Sequence, residues 1–189
     1  MYKNSKEVRK MKNALLIIDM SNDFVHENGG LTAGEAAQTI VPFIQEKAEE
    51  FLKNGDEIYI CMDAHQENDD HFKLWPVHNV VGTWGQQLYG SLHDWYLAHK
   101  HSPQVHWLPK TEYDAFHQTN LAKMLKQKEV QHLYLTGVCT DICVFLTAYG
   151  AYKEGFHTTV YAKGTATFTE NHQIFLQQMK SIFLSEIKE

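Results

Sequence analysis

Ala14-Leu15-Leu16-Ile17-Ile18-Asp19 is an unbroken apolar run of strand length closed by a carboxylate. A run without alternation reads as a β-strand covered on both faces, the pattern of a parallel sheet. The signature returns downstream: Glu57 to Met62 ends at Asp63, Val105 to Leu108 at Pro109-Lys110, and Gln131 to Thr136 at Gly137, and His157 to Ala162 follows Gly155. Between these runs lie segments of helical spacing. Ala36, Ile40, Ile44, Ala48 and Phe51 share one face of a helix over 35–53 that stops at Asn54-Gly55. Pro42 belongs in a first turn, so regular geometry is expected only from about Ile40. Residues 119–127, Asp141 to Lys153 and Asn171 to Phe183 supply three more helices. Strand and helix in alternation imply right-handed crossovers and an α/β fold: three layers, α/β/α, around a mostly parallel sheet of five or six strands. With no repeat or linker in sight, residues 13–189 read as one domain and residues 1–12 as a basic, mobile extension in which Met11 is an alternative start. Residues 64–104, rich in His, Trp, Gly and Asn, read as irregular, and long loops of that kind are usually functional.

The charge narrows the chemistry. The 189 residues carry a formal net charge of -6, with 17 Lys and Arg against 23 Asp and Glu. Lys3, Lys6, Arg9, Lys10 and Lys12 against Glu7 make the first twelve residues basic, so the remainder is more acidic than the total suggests. Arg9 is the only arginine, and the body therefore lacks the guanidinium fork that recognises phosphates and carboxylates. Nucleic acid, phosphorylated cofactors and dianionic substrates are disfavoured, and a compact neutral substrate fits better. No apolar run approaches the roughly 18 residues of a membrane span. The charged start lacks a signal peptide's long apolar stretch and cleavage site, so a cytoplasmic location with no membrane partner is expected. Leu88, Tyr89, Leu92, Trp95, Tyr96 and Leu97 allow two readings: the face of a homo-oligomer, or packing beneath their own loop.

In an open parallel sheet, ligands sit outside the carboxyl ends of the strands. Asp19, Asp63, Lys110 and the segment from Gly137 to Cys143 each follow a strand at that end. In Thr136-Gly137-Val138-Cys139-Thr140-Asp141-Ile142-Cys143 the chain passes from strand to helix, with Thr140 the expected N-cap and Cys143 in the first turn. A thiol there feels the positive helix end, which favours the thiolate, and the free backbone N–H groups can form an oxyanion hole. Three cysteines give no disulfide framework, so each reads as core or as chemistry. Cys61 lies inside a strand and is assigned to the core. A nucleophilic Cys143 needs a proton acceptor and a charge partner. Asp19 can shuttle the proton and Lys110 can stabilise the thiolate; a histidine in place of Asp19 is the alternative.

Twelve histidines are many for this length. Asp63-Ala64-His65 places two ligand types two residues apart at a strand exit, with His71 and His78 following. One carboxylate with two or three imidazoles suits one divalent transition metal ion, Zn, Fe or Mn. The other histidines read as scattered surface or core groups.

Together these blocks resemble the isochorismatase-like cysteine hydrolases, and within them the nicotinamidase/pyrazinamidase branch, from Ala14 to about Phe183. Asp19 to Phe24 resembles the first family block, and Lys110 and Cys143 match the other two triad positions. The resemblance implies an oxyanion hole from the amides of Cys139 and Cys143, with a non-proline cis peptide at Val138–Cys139 aiming the first. It also implies that Phe24 and Trp75 sandwich a pyridine ring, and that Asp63, His65, His78 and His71 hold the metal, a block the isochorismatase branch lacks; because relatives use a histidine or a carboxylate at the last ligand, Glu67, Asp69 and Asp70 are alternatives to His71. The implied reaction converts nicotinamide, and also pyrazinamide, to the acid and ammonia through a thioester. A carbamoyl or ureido amide is the alternative substrate class. Two further readings compete, an idle binding module on the same fold and a metal hydrolase with a structural Cys143. Gly150 departs from the resemblance, standing where many relatives carry Asp.

Overall fold

The structure, a computed structural model, describes residues 12–189. The expected basic extension therefore lies outside the described residues except at Lys12, which opens the first strand. Six strands form one sheet in the order β3-β2-β1-β4-β5-β6, and every pairing is parallel. They are β1 Lys12–Ile18, β2 Glu57–Asp63, β3 Val105–Lys110, β4 Val130–Val138, β5 His157–Ala166 and β6 Glu186–Lys188. The expected α/β architecture is the one observed.

The unbroken apolar runs make both faces of the sheet into core. Leu15 and Ile17 of β1 point into one cluster, with Ile44 and Phe51 from helix α3 (Val41–Asn54) and Leu92 and Trp95 from α4 (Ser91–His99). Ala14, Leu16 and Ile18 alternate into the other, against α5 (Leu121–Gln127), α6 (Phe145–Lys153) and α7 (His172–Ile182). Two short helices, α1 (Asn22–Val25) and α2 (Gly34–Thr39), precede α3 on the first face.

Three expectations need correction. The helix over 35–53 becomes regular after Ile40 with Pro42 in its first turn, as expected, but the residues before Ile40 form a separate helix, because Pro42 cannot donate into a preceding turn. The stretch read as irregular contains α4. There Leu92 and Trp95 are buried and Tyr89 and Tyr96 half-buried, so the apolar residues of 85–99 pack beneath their own segment; Leu97 alone among them is an exposed large hydrophobic. The helix expected from Asp141 begins instead as a π-helical turn, Thr140–Val144, before α6.

The order of winding reverses between β1 and β4, which opens a crevice at their carboxyl ends. Gly137, paired with Ile18 at this seam, has φ +112, and a Cβ there would lie 1.9 Å from the Ile18 carbonyl oxygen. Only glycine fits. Gly150 has a similar cause: a Cβ would lie 2.2 Å from an oxygen of Asp114, so a carboxylate reaches this spot from the neighbouring loop.

Candidate active site

Asp19 leaves β1 in the left-handed region, at φ +55, which aspartate tolerates better than most residues. Its N–H donates to the Cys61 carbonyl at 2.9 Å, and its Oδ1 accepts the N–H of Asp63 at 2.9 Å. The backbone thus fixes the carboxylate before any substrate arrives. Lys110 ends β3 beside Asp63 at the end of β2. Its Nζ lies 2.7 Å from Asp19 Oδ2, pairs with Asp63 Oδ1, and donates to the Glu112 carbonyl at 3.2 Å. All three side chains are buried.

One buried ammonium between two buried carboxylates sets their proton affinities. Burial pushes Lys110 down, but Asp19 and Asp63 outweigh it and hold the ammonium well above its ordinary value. Burial raises Asp63 too, and there Lys110 wins, leaving it a carboxylate below its usual range. At Asp19, burial and the Asp63 charge prevail over Lys110, so Asp19 is raised and is the more readily protonated acid.

Cys143 lies in the π-helical turn, buried at the crevice. Burial pushes its thiol well above the ordinary value; Lys110 opposes this, and Asp19 and Asp63 reinforce it. This direction runs against the expected thiolate and favours the thiol form. Thr140 is corrected as well. Cys139 occupies the cap position, while the Thr140 hydroxyl meets His172 Nδ1 at 2.8 Å. The Val138–Cys139 peptide is cis, as the resemblance implied.

The metal-type residues assemble next to this triad. His65, His71 and His78 each place one ring nitrogen within 4.8 Å of the others. His65 Nδ1 pairs with Asp69 Oδ2 at 3.0 Å and His78 Nδ1 with the Pro76 carbonyl at 2.6 Å. With Nδ1–H donating in both, each Nε2 keeps a free lone pair, and that of His65 is buried with no hydrogen-bond partner. Asp63 Oδ2 lies 3.7 Å from His65 Nε2 and 3.9 Å from His78 Nε2. The His71 ring stacks on His65 with centroids 4.5 Å apart. Of the alternatives to His71, Asp69 spends its oxygens on His65 and the His71 N–H, Asp70 pairs with Lys73 at 2.7 Å, and Glu67 is exposed. An unpartnered imidazole nitrogen facing a carboxylate oxygen and two more imidazoles fits a cation of the Zn, Fe or Mn kind. Several remaining histidines have ordinary partners, such as His106 on Glu57 and His132 on Thr159.

Both groups contribute to one cavity, lined by Cys143, Cys139, Asp63, His71 and His78 together with Phe24, Leu31, Trp75, Tyr113, Val138, Ile142 and Phe168. Phe24 packs on His78 with ring centroids 5.1 Å apart, and the Trp75 indole N–H donates to the Tyr113 hydroxyl at 2.9 Å. Every expected site residue falls in or beside this cavity except that His65, Asp19 and Lys110 lie behind its wall. Sequence reasoning missed Tyr113 and Phe168, and it named Asp69 only as an alternative ligand, not as the partner of His65. Tyr113, three residues past Lys110, and Asp69, between His65 and His71, could have been found by proximity; Phe168 carried no signal.

Asp19, Lys110 and Cys143 are thus buried together at the carboxyl edge of a parallel sheet. The isochorismatase domain matches residues 13–187, and the chain belongs to that family. A curated relative, an uncharacterized isochorismatase family protein PncA of Bacillus subtilis, is 42% identical over 163 residues, covering 85% of this chain and 89% of its own. The crystal structure of nicotinamidase/pyrazinamidase PncA from Bacillus subtilis superposes with TM-score 0.92 at 39% identity, covering 95% of this chain and 100% of that one. The pyrazinamidase of Pyrococcus horikoshii in complex with zinc gives TM-score 0.84 at 28% identity, over 94% of this chain and 99% of that one.

Proposed function

We propose that the chain is a metal-assisted cysteine amidohydrolase that converts nicotinamide to nicotinate and ammonia and accepts pyrazinamide as well. The observation that carries this reading is one cavity lined both by Cys143 and by His71 and His78 of the three-imidazole cluster, with Asp63 serving both the Lys110 ion pair and the imidazoles. A carbamoyl or ureido substrate would leave that cluster without a task.

Asp63, His65, His71 and His78 would hold the metal, which when bound supplies a Lewis-acid contact for a pyridine-type nitrogen. Phe24 and Trp75 flank the flat ring. With burial favouring the thiol form of Cys143, its proton passes to Asp19 as sulfur attacks the amide carbon. Lys110, kept cationic by its two carboxylates, stabilises the charge on the nucleophile. The N–H groups of Cys139 and Cys143 receive the oxyanion. Asp19 returns the proton to nitrogen, the C–N bond breaks, and ammonia leaves a thioester on Cys143. Water then gives a proton to Asp19 and attacks the thioester; the acid departs and the proton goes back to sulfur.

Cys143→Ala is expected to abolish ammonia release from nicotinamide while the metal content of the same sample stays unchanged. Retained turnover would overturn the assignment.

A further inference from the structure

Phe168 is out of keeping with the rest of the cavity. It is 49% exposed, yet it lines the space above Cys139 and Cys143. It sits between β5 and α7, and the residues on either side of it are tied down. Thr167 Oγ1 donates to Asp141 Oδ1 at 2.6 Å and Thr169 Oγ1 to Asp141 Oδ2 at 2.5 Å. Hydroxyls on a carboxylate form short, charge-assisted bonds, and this pair uses both oxygens. A third tie joins Thr140 to His172 at the start of α7. The loop is thus fastened to the turn that carries the nucleophile, by residues to which the reaction above gives no task.

We propose that Asp141 is a positioning residue: by gripping Thr167 and Thr169 it holds the Phe168 ring at the cavity mouth as a further substrate wall, favouring flat heteroaromatic amides. This rests on the amidase reading above. If the grip mattered only for folding, its loss would lower stability without acting through Phe168.

A double-mutant cycle separates the two. Phe168→Ala and Asp141→Asn should each raise KM for nicotinamide about tenfold with kcat held within about threefold. The combined variant should be no worse than Phe168→Ala alone. Additive losses, or a fall in kcat with KM unchanged, overturn the proposal. Thr167→Val with Thr169→Val removes the same grip by another route and should match Asp141→Asn, while Thr167→Ser with Thr169→Ser keeps both hydroxyls and should restore the lower KM. A second readout needs no turnover. Iodoacetamide labelling of Cys143, followed on its own peptide by mass spectrometry, should be several-fold faster in Phe168→Ala and Asp141→Asn, again without additivity. An unchanged labelling rate overturns the wall even if nicotinamide is hydrolysed, whereas faster labelling in a chain inactive on nicotinamide overturns only the choice of substrate.

Discussion

Lys110 is the residue on which the charge of the site balances. Two buried carboxylates depend on its single ammonium, and each would be left without a counter-charge if it were removed. Taking one partner out of a buried ion pair costs about 3–5 kcal/mol. Lys110→Ala should therefore unfold at markedly lower urea as well as lose ammonia release; a variant with unchanged urea midpoint would show that the carboxylates are held by something else. At this scale the meeting of Asp19, Asp63 and Lys110 was legible in the sequence, because each closes an apolar strand and a strand fixes where its next residue points. The ionisation of Cys143 was not. Proximity to a helix start argues for a thiolate, but how deeply the sulfur is buried, and that two carboxylates lie nearby, emerges only once strands far apart in sequence are side by side. Phe168 was illegible for the same reason, since its only local sign is a threonine on each side.

Among the elements, uniform apolar runs were read correctly and mixed ones were not. Strand β4 and strand β5 extend further than their apolar stretches because the backbone ladder continues into Gly137-Val138 and Lys163 to Ala166. Helix α4 was missed because only Leu92 and Trp95 of its nine residues are buried, too few to show a period among His, Asp and Tyr. Those two residues nevertheless pin the segment against α3 and the sheet. Leu92→Ala should cost about 2–5 kcal/mol in urea unfolding, as truncation of a fully buried leucine does. Leu97→Ala on the same helix, where the side chain is 47% exposed, should stay within about 0.5 kcal/mol. Equal effects would mean that α4 is not docked in this register.

For the molecule as a whole, the switch point gathers the chemistry: one reversal of winding brings four strand ends to one crevice. The imidazole cluster extends that crevice into the 64–104 stretch, which holds few buried apolar residues before Leu88 and has the strand ends as its scaffold. A metal bound there should stabilise the native chain by linkage, about 3 kcal/mol at a hundredfold excess over Kd. Exhaustive chelation should then lower Tm by about 5–10 °C, and added zinc should restore it, whereas His78→Ala should show no metal-dependent rise. A Tm indifferent to chelation and to zinc would remove the metal from the proposal. The seam between β1 and β4 has another consequence. The Thr136 hydroxyl bonds the Leu16 carbonyl across 120 residues of chain, and Asp19 and Cys143 flank the same junction. Closing so long a loop is slow compared with local structure. A chain emerging from the ribosome has made its first strand long before the neighbour it needs exists, so early fragments carry Asp19 with nothing to act upon. The first appearance of catalysis is then a timestamp for closure of the sheet.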